Sequence, residues 1–148
     1  MLSSGPEFEV MPVTYSVDSE AGVIRTVCES PLRFEDVLNH FQALRADPAC
    51  TGGLDVLLDV SNADTLPAVS QLSSITSVIG NLTKKIRFGA CAIVATRDAM
   101  FGMMRIFEAF AGDHFRAIRV FRDAREAELW LISERNRSAP SGPPPRGT

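Results

Sequence analysis

The chain has 148 residues, 45% of them hydrophobic and 22% charged, with a formal net charge of -3. That is enough for one domain with a real core, and the scattered Lys and Arg exclude the basic stripe that marks a nucleic-acid binder. No apolar run approaches the ~20 residues that span a bilayer, and the opening MLSSGPEFEV has neither the basic start nor the apolar stretch of a signal peptide.

Residues 1–12 carry Gly5, Pro6 and Pro12 and little pattern, and are expected to form a loose lead. Val13, Tyr15 and Val17 alternate with Thr14 and Ser16, the signature of a strand with one polar face. A turn over Asp18-Ser19-Glu20-Ala21-Gly22 and a second arm from Val23 to Cys28 complete a hairpin. Pro31 then breaks the chain.

The first helix is expected over about Phe34 to Ala46, with Phe34, Val37, Leu38, Phe41 and Leu44 as its buried stripe. Glu35 and Asp36 fall in its first turn, where the helix dipole favours negative charge. Pro48 and Gly52-Gly53 end it, and Leu54 to Val60 reads as a core strand. The next helix is unusual, because no residue from Thr65 to Thr83 is charged. Pro67 fits its first turn, with Asp64 or Thr65 as cap. Leu72, Ile75, Thr76, Ile79 and Leu82 make the apolar stripe; Ser70, Ser73, Ser74 and Ser77 make a hydroxyl stripe. Such a face is either wetted or packed on a partner without stranding charge.

Phe88 to Ala95 has no charge and no alternation, as expected of a strand covered on both faces. The third helix follows, with Met100, Met103, Met104, Phe107, Phe110 and Ala111 on one buried stripe and Gly112-Asp113 as its stop. Arg116 to Arg122 is a short strand, and Arg119 within it suits a sheet edge. Asp123 and Glu126 form a D-x-x-E start for the last helix, which buries Ala127, Trp130 and Leu131. From about Asn136 the Pro/Ser/Gly-rich tail is expected to be disordered, leaving residues 13–135 as one domain.

The order is β-β-α-β-α-β-α-β-α. Alternation of strand and helix implies a mostly parallel five-stranded sheet, with the first strand antiparallel to the second. An opening hairpin followed by four strand–helix units resembles the SpoIIAA-like fold of bacterial STAS and STAS/SEC14-like domains. Three local patterns carry the resemblance. Leu57-Leu58-Asp59-Val60-Ser61 resembles the end of the STAS core strand. Phe101-Gly102-Met103-Met104-Arg105-Ile106-Phe107-Glu108 resembles the FGMxRxFE helix of small bacterial members, and Val120-Phe121-Arg122-Asp123 with Glu126 to Leu131 resembles their closing VFRD…EAxxWL.

The resemblance implies a non-catalytic regulatory or ligand-sensing module. In the anti-sigma-factor antagonists of that family a serine at the start of the helix after the core strand is phosphorylated within a D-S-S-G-like pattern. Ser70 is the nearest serine here and becomes the candidate phosphosite, although the acidic residue and the glycine are missing; the competing reading is a plain helix-face serine.

Ligands of open α/β sheets gather beyond the carboxyl ends of the strands. Asp59, Ser61, Asn62, Arg97 and Asp98 fall there and form the candidate ligand or partner site, with helix capping as the competing use. Catalytic signatures are missing: there is no G-x-G-x-x-G, no Walker loop and no G-x-S-x-G. His40 and His114 have no companion at ligand spacing, and Cys28, Cys50 and Cys91 are odd in number and far apart. The expectation is therefore no enzyme, no cofactor and no metal, in a reducing cytoplasm.

Two readings remain. The first is a STAS-like module working through protein–protein contact, with self-association as a homodimer among its forms and Ser73, Ser77, Phe101, Gly102, Arg105 and Ile106 as its surface. The second is a carrier or sensor of a small apolar, lipid-like ligand, which the Met- and Phe-rich third helix would line.

Overall fold

A computed structural model describes residues 12–30, 33–63 and 68–138. Pro31, the proposed Asp64, Thr65 and Pro67 helix start, most of the N-terminal lead and nearly all of the Pro-rich tail lie outside the described residues. Five strands and four helices alternate in the expected order: β1 (Val13–Asp18), β2 (Val23–Glu29), α1 (Phe34–Ala46), β3 (Asp55–Asn62), α2 (Val69–Leu82), β4 (Ala90–Val94), α3 (Asp98–Ala111), β5 (Ala117–Phe121) and α4 (Ala124–Ser138). Among the described residues no helix is long and apolar enough to cross a membrane.

The sheet order is β1-β2-β3-β4-β5, so each strand lies beside its neighbour in sequence. β1 and β2 pair antiparallel, with Tyr15 opposite Thr26. The remaining pairs are parallel, with Thr26 beside Leu58 and Val56 beside Cys91. The hairpin turns at Gly22, whose φ of 71° a residue with a Cβ adopts only under strain. β5 is an edge, as Arg119 suggested; its guanidinium lies over the Phe121 ring.

The two faces of the sheet are covered differently. Residues of α1, α2 and α3 share their apolar clusters with one face, through Ile24, Cys28, Val60, Cys91, Ile93 and Val120. α4 alone covers the other, where Ala127 and Leu131 meet Leu57, Ala92 and Val94. This is why all five residues of β4 are buried. Asp123 starts α4 as expected, its carboxylate accepting from the Glu126 N–H at 3.3 Å. The helix then runs to Ser138, past the expected boundary near Asn136.

The C-terminal half of α4 is fastened by charge. Asp55, only 3% exposed, accepts the Ala90 N–H at 2.9 Å and pairs with Arg135 at 3.4 Å. Arg135 in turn donates to the Gly22 carbonyl. A Cβ at Gly89 would overlap the Asp55 carboxylate, so the glycine there leaves room for the acid. Glu134, also buried, accepts from Arg116 and Arg137.

Three details of the helices depart from the sequence reading. α1 buries only Leu44 fully; Phe34, Val37 and Phe41 are partly exposed. α2 begins at Val69, and the Gln71 side chain accepts the Ala68 N–H at 3.0 Å. On α3, Met100, Met104, Phe107 and Ala111 are buried, whereas Phe110 is 42% exposed. The expected stripe was too wide: Phe110 lies a quarter-turn from its centre, beyond the reach of the sheet.

Candidate functional site

β3 is the middle strand, and its residues Val56 and Leu58 point under the α1–α3 layer, yet both are only partly buried. The reason is a void. α3 packs against β5, α4 against β4 and α1 against β1. Between sheet and helices lies a cavity of about 110 Å³.

Every layer contributes to its wall. The sheet provides Ile24, Thr26 and Cys28 from β2, Val56, Leu58 and Val60 from β3, and Cys91 from β4. α1 adds Val37, His40, Phe41 and Leu44; α2 adds Leu72, Ile75 and Ile79. α3 supplies Met100, Met104 and Phe107, and Phe88 and Phe115 close one end. Those two rings stack with centroids 5.8 Å apart. Along β3 the wall runs from Val56 to Val60, a distance of ~13 Å at strand rise. The shape is therefore a slot rather than a sphere.

Among the described residues no Lys, Arg, Asp or Glu lines this slot. Its polar side chains are Thr26 and His40, with the thiols of Cys28 and Cys91. Burial pushes the Cys28 thiol up to about 12, helped by the nearby Asp59 carboxylate, and raises Cys91 as well. Both are inert thiols, not nucleophiles. Burial likewise holds His40 neutral, lowering it to about 4. The His40 ring meets Tyr15 edge-on at 5.4 Å. Tyr15 donates its hydroxyl to Asp47 at 2.6 Å, and that hydrogen bond is the main cause that raises the phenol to about 12.

The residues singled out at the strand ends do not line the cavity. The Asp59 carboxylate accepts the Ser61 N–H at 2.9 Å, which is local capping. Ser61 Oγ is enclosed and has no hydrogen-bond partner among the described residues. The Asn62 carbonyl accepts the Ser30 N–H at 3.3 Å. Arg97 precedes α3, and its carbonyl accepts the Phe101 N–H. Asp98 is 91% exposed at its side chain and pairs with Arg122. Among the described residues no ion pair joins Asp59 to Arg97.

The candidate interface residues fall on separate flanks. Phe101 lies on the β5 side of α3, under the Arg122 guanidinium at 4.4 Å. Arg105 pairs with Glu108 at 3.0 Å, as the i, i+3 spacing suggested. Gly102 faces open space. Ile106, 40% exposed, is on the opposite flank from Phe101 with Phe110. Ser70, Ser73, Ser74 and Ser77 are all exposed on α2; Ser77 also donates to the Ser73 carbonyl at 3.3 Å. Gly80 packs against the His114 ring, which places this side of α2 toward α3.

Sequence reasoning named Met100, Met104 and Phe107 as core and singled out their helix as a pocket wall, but it missed Thr26 and His40. Periodicity marks which side chains point inward; it carries no signal for how far a helix stands from a sheet. No protein-family model matches this chain, and neither a curated protein nor a solved structure matches it.

Proposed function

We propose that this chain is a non-catalytic, STAS-like domain that carries or senses a small apolar ligand in the slot between its sheet and its α1–α3 layer. The observation that supports this reading is the partial exposure of Val56 and Leu58 at the centre of the sheet, against a wall with no charged side chain. At ~24 cal/mol per Å³ an empty cavity of about 110 Å³ costs the fold ~2.6 kcal/mol. A guest that fills it returns much of that. Organic extraction of freshly purified protein, paired with its native mass spectrum, tests the reading. A compound released in stoichiometric amount is the expected result. An empty extract, combined with no uptake of xenon by the purified protein, would overturn it.

A second reading is favoured by a different observation. Ile106 and Phe110 are exposed on α3, and α2 carries an exposed face of hydroxyls without charge. In that reading the domain is a regulatory module of bacterial signalling that works through protein contact or self-association, with Ser70 as its candidate phosphosite. Ser73→Lys with Ser77→Lys leaves the fold intact, because both side chains are exposed, and abolishes assembly in sedimentation. Assembly unchanged by the pair of lysines would rule out this face.

A further inference from the structure

The slot selects by chemistry and by size. Thr26 and His40 belong to its wall, yet the surface that faces the void is almost wholly carbon and sulfur. Among the described residues Ser61 Oγ is the enclosed side-chain atom that lacks a hydrogen-bond partner, and Ser61 is not in this wall. A hydroxyl, carbonyl or carboxylate brought inside therefore gives up its water and finds no replacement. The void favours carbon and penalises every oxygen or nitrogen that enters it.

Size sets the second limit. The cavity measures about 110 Å³. An apolar protein cavity of ~150 Å³ stays dry and holds benzene, and in proportion this one takes ~4–5 heavy atoms. The wall along β3 runs from Val56 to Val60, ~13 Å at strand rise, so the volume is drawn out along the strand. An unbranched chain lying in that direction has the sheet on one side and Leu72, Ile75, Met100 and Met104 on the other. A ring demands width where the slot has length. A membrane lipid's acyl chain exceeds the volume several times over. The thioethers of Met100 and Met104 are flexible and polarisable, which suits a guest that offers no fixed contact point.

We propose that the occupant is a short, unbranched hydrocarbon of about five carbons, with no hydrogen-bonding group, held by dispersion and by exclusion from water alone. The inference rests on the carrier reading and narrows its ligand from apolar molecules in general to one class and size.

The test is NMR of the full chain labelled at its methionine methyl groups, after refolding into ligand-free buffer. Met100 and Met104 line the slot, whereas Met103 on the same helix does not and serves as the control. Met100→Leu and Met104→Leu assign the signals with little cost to packing. The n-alkanes from propane to octane are titrated at measured free concentrations, alongside 1-butanol, cyclohexane and xenon. The Met100 and Met104 signals should move further than that of Met103. Affinity should tighten ~4-fold with each added carbon up to about pentane and then level off. 1-Butanol matches pentane in heavy atoms and should bind at least ~30-fold more weakly. Cyclohexane should bind at least ~10-fold more weakly than pentane, because it must force the walls apart. In Val56→Ile the added methylene occupies part of the slot, so the levelling should come one carbon sooner.

A gain that continues to octane overturns the size limit. 1-Butanol binding as tightly as pentane overturns the chemical one, and cyclohexane matching pentane overturns the shape. Each of these results sinks the inference and leaves the carrier reading standing, as does a levelling point that Val56→Ile fails to move. If no probe, xenon included, shifts Met100 or Met104, the carrier reading falls and the inference with it.

Discussion

Val56→Ile adds one methylene to a β-branched side chain at the centre of the sheet, pointing into the slot. The substitution keeps strand propensity and χ1 preference, so backbone and rotamer terms cancel. Val56 is only partly buried, and its exposed surface faces the void. The new methylene therefore enters empty space instead of a packed neighbour. Filling should stabilise the fold by ~0.8 kcal/mol, roughly a third of the ~2.6 kcal/mol that the empty slot costs. For a domain of this size the gain raises the melting temperature by ~2–5 °C. The assay is urea unfolding of both proteins after refolding from denaturant into ligand-free buffer, so that any guest is lost. The midpoint should rise with no change in slope. In a close-packed core the same methylene would force a shift and cost ~1–3 kcal/mol. The two cases differ in sign, so a midpoint that stays put or falls would refute the cavity and the function built on it.

Asp55→Ala leaves the Ala90 N–H and Arg135 without their buried acceptor, and should destabilise the domain by ~3 kcal/mol in the same assay; a loss under ~1 kcal/mol would show that α4 does not depend on this tie. His40 gives a pH signature. Its imidazole is lowered from 6.5 to about 4 in the fold, so between those values the unfolded chain binds the proton and the folded one does not. The contribution is complete above pH 6.5 and is lost as pH falls toward 4, by ~1–2 kcal/mol once partial exposure of the ring is allowed for. His40→Gln should remove that slope between pH 7 and 4.5, and an equal slope in the variant would assign it to another group.

Much of the architecture was legible in the residues. The uncharged run around Cys91 and Ile93 announced a strand covered on both faces, and the alternation of Val13, Tyr15 and Val17 announced a strand with one. The Asp123–Glu126 start and the edge position of Arg119 were readable for the same reason: each is a local consequence of a residue's own shape or charge. At the strand ends the Asp59 carboxylate accepts the Ser61 N–H and Asp98 pairs with Arg122. Phe110 misled, since helical phase alone does not say where the sheet ends.

The sequence by itself determined the order of strands and helices, the antiparallel start, the parallel remainder and most of the side chains that face inward, Phe110 excepted. These follow from periods of 2.0 and 3.6 residues, which depend only on local backbone geometry. The tertiary structure alone decided that a void is left between the sheet and the α1–α3 layer, that Val56 and Leu58 look into it, and that His40 packs edge-on against Tyr15. Spacing between layers depends on how side chains from five separate segments pack together, and no single stretch of the chain encodes that sum.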